Sequence, residues 1–428
     1  MSFDAQEFLT ELFHTAVGAA DPKKVLPGFL GETLKNLPAQ KEQGKVVVIG
    51  AGKAAAAMAV ALEENWTGNL SGIVVTAYGH ALPCKQIEVV EAAHPVPDEN
   101  SEIAARRILN LVADLNENDL VICLLSGGGS SLLALPAPGI TLVDKQQINQ
   151  ALLKSGADIH EINCVRKHLS SIKGGRLAAA CPPAKLMTFA ISDVPGDDPA
   201  VIASGPTAAD PTTRQQASAI LEKYQIDVSN EVRQWLDSSQ SETPKTVSGS
   251  VDFKIIATAK QSLEAAAIEA EEQGVKALIL GADLTGESQQ LAKSHADLVN
   301  QILEQGHPIS APCVLLSGGE TTVKVRGNGR GGRNTEYLLS LATVLQGKAN
   351  VYALAADTDG IDGSGDNAGA TLSPKSWLKA DKLGLNSANM IKNNDSYRFF
   401  EALGNLVITG PTQTNVNDFR AVLVLPGK

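Results

Sequence analysis

Lys45-Val-Val-Val-Ile-Gly-Ala-Gly-Lys-Ala-Ala55 decides the fold of this chain. The β-branched run ending at Ile49 suits a buried strand, because such side chains fit a pleated sheet packed on both faces. Two glycines then turn the chain, and Ala54 to Glu64 is alanine-rich and helix-favouring. The same rhythm recurs outward. Ile73 to Thr76, Leu120 to Leu125 and Leu186 to Ile191 read as further strands, with helical patterns at Arg106 to Leu115 and Asp144 to Ser171. Upstream, Phe8, Leu9, Leu12, Phe13 and Val17 recur at helical spacing within residues 3–37. This alternation predicts an open, largely parallel α/β sheet.

Residues 238–250, polar and carrying Pro244 and Gly249, form the best linker candidate. Beyond them strands at 253–258, 275–280, 314–316, 351–354 and 422–425 alternate with helices at 262–273 and 289–304. The chain of 428 residues is therefore expected to form two α/β domains, residues 1–240 and a smaller domain 251–428.

The formal net charge of -11 leaves no global field to attract nucleic acid or an anionic membrane. No apolar run approaches the roughly 20 residues of a membrane span, and the acidic N-terminus lacks the basic start of a secretory signal. The five scattered cysteines contain no close pair, which suits reduced thiols in a cytoplasmic protein. Any phosphate binding must be local. No residue pattern sets the oligomeric state, and a homo-oligomer stays open.

Three glycine loops supply local candidates. Gly50-Ala-Gly52-Lys53 fits a relaxed dinucleotide fingerprint, but the second strand ends Val74-Val-Thr-Ala-Tyr-Gly-His80 without the expected carboxylate. Lys53 opposes the helix dipole, so it either faces an anion or lies in solvent at the edge of a packing turn. Ser126-Gly127-Gly128-Gly129-Ser130-Ser131 can turn backbone N–H groups and hydroxyls on an anion, or serve as a flexible turn. Ser317-Gly-Gly-Glu320 precedes Arg326-Gly-Asn-Gly-Arg-Gly-Gly-Arg333-Asn-Thr-Glu336, whose arginines provide planar forks for carboxylate or phosphate; the bland alternative is a basic linker.

Arg166 and Lys173 share one helix face and are candidate substrate ligands with Gly52, or else a solvated basic face. His168 in the same segment reads as structural. Asp193 and Asp197 follow one strand, and Asp357 and Asp359 another. Each is individually a good Asx-turn residue; as a set beside anion loops they are candidate Mg²⁺ ligands. No nucleophile elbow of the Gly-x-Ser-x-Gly type occurs.

Together IGAGKAA, HPVPDE, LLSGGGSSLL, VRKHLSSIKGGRLA, SDVPGDDPAVIASGPT, LSGGETTV, GGRNTE and ADTDGIDG resemble the glycerate 2-kinases, whose C-terminal part is called the MOFRL domain. The resemblance runs in order from about Gly50 to Phe419. It implies a Rossmann-like N-terminal domain, a smaller α/β domain and an active site in the cleft between them. It implies ATP-dependent phosphorylation of D-glycerate to 2-phospho-D-glycerate with a divalent metal, and it places catalytic roles on Lys53 and Arg333. In that scheme the Ser126–Ser131 loop cradles ATP phosphates, and Glu320 or an Asp accepts the hydroxyl proton. Relatives are often labelled hydroxypyruvate reductases, so an NAD(P)H-dependent reductase is the alternative, with a non-catalytic sugar-phosphate-binding regulator as a third.

Overall fold

The computed structural model describes residues 3–35, 44–247, 249 and 251–427. The chain divides into two units, one of Pro22–Ile256 and one of Met1–Asp21 with Ala257–Lys428.

The first unit is built on β1 (Val46–Ala51), β2 (Ser71–Ala77), β3 (Glu88–Ala92), β4 (Leu120–Leu125), β5 (Lys185–Ile191) and β6 (Val251–Ala257), in the order β3-β2-β1-β4-β5-β6. The pairings of β1 with β2 and β4, β2 with β3, and β4 with β5 are all parallel. This is the strand order of the doubly wound nucleotide-binding fold, with its switch point between β1 and β4. Both strands are buried along their whole length, which is why they read as unbroken apolar runs. The chain leaves β1 and β4 toward opposite edges of the sheet, and folds of this order bind ligands at the carboxyl ends of the strands at such a point. Two of the three glycine loops follow these two strands.

The second unit carries β7 (Lys276–Gly281), β8 (Cys313–Ser317), β9 (Val351–Asp357), β10 (Gly369–Leu372), β11 (Leu406–Val407) and β12 (Asp418–Val424), ordered β11-β10-β9-β12-β8-β7. Here only β7 and β8 run parallel; β12 is antiparallel to both neighbours, as is β10. The alternation in sequence concealed this, because strand direction depends on the connections rather than on residue pattern.

Both expected domain edges move. The helix Ala5–Gly18, capped by Asp4, buries Phe8, Leu9, Leu12, Phe13 and Ala16 in one cluster with Leu263, Ala266, Val314 and Phe419. Each such side chain contributes roughly 1.5–3 kcal/mol on burial, so this helix belongs to the second unit. The expected linker is packed structure over its described part. Thr243 donates to Asp210 Oδ2 at 3.0 Å, and the Arg176 guanidinium donates to the carbonyls of Gln240, Ser241 and Glu242. Positions 248 and 250 lie outside the described residues, as do 36 and 37 of the predicted N-terminal helices. β6, expected in the second domain, joins the first sheet, where Val251, Phe253 and Ile255 pack on its core. The predicted 144–171 helix is two, Leu142–Ser155 and Ile159–His168, separated at Gly156, whose φ of +78° stops the first.

Candidate functional site

The loops after β1 and β4 brace one another. Lys53 N–H donates to Gly127 O at 2.8 Å and Ala54 N–H to Ser126 Oγ at 3.0 Å, while Gly52 N–H donates to Val75 O of β2 at 3.0 Å. A side chain at Gly52 would strike Ser126, and its φ of +145° already favours glycine. The amides that a dinucleotide fingerprint turns on a pyrophosphate are thus spent inside the protein. What this loop presents instead is the half-buried side chain of Lys53, whose Cγ lies beside Gly128 together with His94.

Ser126 is fully buried and its hydroxyl caps the turn before helix Ala55–Asn65, so it is a brace rather than an exposed ligand group. Gly127, Gly128 and Ser130, by contrast, keep amides without a protein acceptor among the described residues. The Ser130 hydroxyl meets that of Ser204 at 2.8 Å, and Ser204 donates to Asn163 Oδ1 at 3.0 Å. Ala203 and Ser204 are held at φ of +52° and +62°, a left-handed conformation that costs a non-glycine residue on the order of 1 kcal/mol or more.

Beside this loop lies a cavity of about 660 Å³ walled by the His94–Pro97 segment, the Gly128–Ser131 loop and the helix Leu142–Ser155. Three cations line it: Lys145, Arg166 and Lys173. Lys145 Nζ donates to Leu169 O at 3.0 Å, Lys173 Nζ to Ser130 O at 2.6 Å, and Arg166 Nε to Asn149 Oδ1 at 2.6 Å. No Asp or Glu is in the lining. Burial, then the neighbouring Arg166 charge, brings the Lys145 ammonium down to about 7 despite the opposing pull of Glu102. Burial, with Lys145 and Arg166, pushes Lys173 far below the usual lysine range, and burial lowers Arg166 to about 10. Like charges gathered with no acid in the lining, and only Glu102 pulling on Lys145 from outside it, destabilise one another. Arg166 and Lys173 were expected on one helix face, but the helix ends at His168 and Lys173 lies in the turn beyond it, reaching the same cavity from there; Lys145, a lone lysine in a polar helix, gave no signal.

His168 is structural, as its setting implied: it is buried, contacts Cys164 O at 2.8 Å and lies 3.3 Å from Glu242. Lys167, within the VRKHLSSIKGGRLA motif, forms a buried ion pair at 3.2 Å with Asp210, which carried no sequence signal.

In the second unit Arg333 opens the helix Arg333–Leu345 and meets three carboxylates. Its Nε donates to Asp418 Oδ1 at 2.8 Å, its Nη1 to Glu320 Oε1 at 3.0 Å, and its Nη2 to Asp357 Oδ2 at 2.6 Å. Burial alone would lower this guanidinium; the charges of Asp418, Asp357 and Glu320 outweigh it and hold Arg333 well above its usual range. Asp418 is fully buried and also accepts from Asn334 Nδ2 at 2.7 Å and from the buried Arg420. The amides of Asn334 and Thr335 are capped by Asp362, each at 2.9 Å. Asp418 and Arg420 escaped the sequence reading, because both reach the site from a distant strand, β12; Asp362 belongs to the quoted ADTDGIDG motif, and its role as the cap of this helix shows only in the fold.

The four candidate metal ligands divide between the units, Asp193 and Asp197 in one and Asp357 and Asp359 in the other. Asp357 Oδ1 accepts Asp359 N–H at 3.0 Å and Asp359 Oδ1 accepts Ile361 N–H at 2.8 Å, two successive Asx turns. Asp357 is further committed to Arg333. Among the described residues no three His, Cys, Asp or Glu side chains gather as a metal cluster. No helix among them is long and apolar enough to cross a membrane.

Residues 8–237 match a family model described as a domain of unknown function, DUF4147, and residues 313–418 match the MOFRL family. A protein of Agrobacterium vitis with the provisional name hydroxypyruvate reductase is 50% identical over 98% of this chain and 94% of its own. A protein named D-glycerate 2-kinase from Thermotoga maritima is 43% identical over 89% of this chain and 91% of its own. The crystal structure titled glycerate kinase from Thermotoga maritima superposes with a TM-score of 0.88 at 41% identity, covering 98% of this chain and 99% of that one. With both family models in their places and relatives matched over nearly its full length, the chain belongs to the glycerate 2-kinase family with a MOFRL domain.

Proposed function

We propose that the protein is a kinase that transfers the γ-phosphoryl group of ATP to the 2-hydroxyl of D-glycerate, forming 2-phospho-D-glycerate. The observation that carries this reading is the anion-seeking construction at the switch point. Amides of Gly127, Gly128 and Ser130 lack protein acceptors, and three cations stand beside them with no acid in the cavity lining. Phosphoryl transfer asks a protein for positioning and for neutralisation of charge on the transferring group, and these residues supply both.

Lys53 is assigned to the reacting phosphate, because the brace between the two loops holds its backbone while leaving its side chain beside Gly128. Arg333, kept cationic by three carboxylates, is assigned to the glycerate carboxylate or the transferring group. Glu320 keeps over half of its side chain exposed, which makes it the most accessible proton acceptor of the three carboxylates on Arg333. Mg²⁺ takes one or two carboxylates and completes its shell with phosphate oxygens and water, so pairs of Asp suffice. Asp193 and Asp197, or Asp357 and Asp359, would hold the ion; oxygens of the second pair are also engaged by turns and by Arg333. When bound, the ion would neutralise charge on the phosphates.

The reductase reading is disfavoured by the inward-facing amides of Gly52, Lys53 and Ala54 and by the absence of a carboxylate at the end of β2. Purified protein given D-glycerate, ATP and Mg²⁺ should form ADP and 2-phosphoglycerate, and should stop when the ion is chelated. Oxidation of NADH or NADPH by hydroxypyruvate, with no ADP formation from glycerate, would sink the kinase reading.

A further inference from the structure

We infer that the cavity between the His94–Pro97 segment and the helix Leu142–Ser155 is the seat of a nucleoside di- or triphosphate, and that Lys145 is a ligand of its phosphate chain. This rests on the kinase reading for the identity of the phosphate donor, and it transfers Arg166 and Lys173 from the sugar acid to the nucleotide.

The argument begins with unspent donors. Lys145 and Lys173 each commit one hydrogen to a backbone carbonyl, and Arg166 commits its Nε–H to Asn149. Their remaining N–H groups have no protein acceptor among the described residues. Lys173 is 2% exposed, so its unspent hydrogens are cut off from bulk water except through the cavity it lines. A buried cation in that condition is costly unless an anion completes it. One buried cation and two half-buried ones in the same lining, without one carboxylate in it, call for an anion carrying several charges.

Size and wall chemistry separate the two anions of the reaction. A cavity of about 660 Å³ is in the range of sites that enclose drug-sized ligands. A three-carbon acid would leave most of it empty, and one carboxylate cannot complete three cations. The remaining wall is apolar and amide-bearing, with Pro95, Val96, Val143 and Leu153 beside Gln146 and Gln150. That surface suits a planar heterocycle, which needs apolar contact on its faces and donors or acceptors at its edge. The Gln146 amide, donating to Pro97 O at 2.7 Å, ties the two walls together.

The test is calorimetric titration of the full-length protein with ADP and, separately, with inorganic tripolyphosphate, for wild type, Lys145→Met, Lys145→Arg and Val143→Asp. Circular dichroism confirms that each variant is folded. Lys145→Met should raise the Kd for ADP at least tenfold while the KM for glycerate at saturating ATP moves less than twofold, and Lys145→Arg should restore most of the ADP affinity. Val143→Asp should weaken ADP more than tripolyphosphate. Unchanged ADP affinity in Lys145→Met, or a rise in the glycerate KM in its place, overturns the site even if the wild type is a competent kinase. Wild type that binds ADP through Lys145 yet turns over no glycerate leaves the site standing and removes the kinase reading.

Discussion

Arg333 and Arg420 share one carboxylate: Asp418 Oδ1 accepts from Arg333 Nε at 2.8 Å, and Asp418 Oδ2 accepts from Arg420. Arg420 is fully buried, so Asp418 both aims a candidate catalytic group and neutralises a cation that water cannot reach. Asp418→Asn should therefore lower stability by roughly 3–5 kcal/mol, the usual cost of leaving one member of a buried pair uncompensated. In protein that remains folded, kcat should fall on the order of 10²-fold, as expected when a positioned group loses its support. Urea unfolding and steady-state kinetics check the two effects separately. A normal kcat would show that Arg333 needs no such support.

Ser126 gives a sharper test of role. Its buried hydroxyl accepts from Ala54 N–H, so Ser126→Ala should cost about 1 kcal/mol in unfolding free energy, in the manner of a lost helix cap. The Kd for ADP should change less than twofold. A large loss of nucleotide affinity at full stability would restore Ser126 as a direct phosphate ligand.

Lys53→Ala removes a half-buried side chain whose backbone is held by Gly127, so the brace survives. Stability should fall by no more than about 1 kcal/mol, the scale of one part-exposed side-chain contact. The kcat should fall by roughly 10²–10³-fold, the range for removing one preorganised charge-stabilising donor. Turnover near that of the wild type would remove Lys53 from the chemistry.

His295 makes acid stability measurable. Burial, then the nearby Arg420 charge, lowers its imidazolium to about 4 in the folded protein. The unfolded chain takes up the proton near pH 6.5, so the folded state keeps its full advantage above that value. The advantage is lost progressively as pH falls from 6.5 toward 4, by on the order of 3 kcal/mol for the full shift. His295→Gln, which retains a partner for the Tyr337 hydroxyl now 2.7 Å from the imidazole, should flatten stability across that window. An undiminished slope between pH 6.5 and 4 in this variant would locate the titration elsewhere.

The candidate site residues that the sequence offered were those where a glycine loop after a buried strand combines two strong local signals. Lys53, the Gly127–Ser130 run and Arg333 stood out in this way. The residues that were missed share a cause. Lys145 has no local signal, since a lysine in a polar helix usually faces solvent; only the folding of that helix over Lys173 and Arg166 turns it into a cavity wall. Asp418 and Arg420 alternate along β12 and look like ordinary strand residues until β12 pairs between β8 and β9. The misplaced domain edges have the same origin. The 238–250 segment is polar in composition, yet Thr243, Arg176 and Asp210 pin it to the first unit.

The sequence by itself determined the parallel sheet, the glycine turns at the ends of β1 and β4, and the family, because each depends on residues close together in the chain. Tertiary structure alone decided which amides and hydroxyls remain for a ligand. It spent Ser126 and the amides of Gly52, Lys53 and Ala54 inside the protein, and it left Gly127, Gly128 and Ser130 unspent. It also brought three cations together without an acid. The physical reason is that hydrogen-bond satisfaction and charge balance are properties of neighbours in space, and the partners here lie up to 85 positions apart.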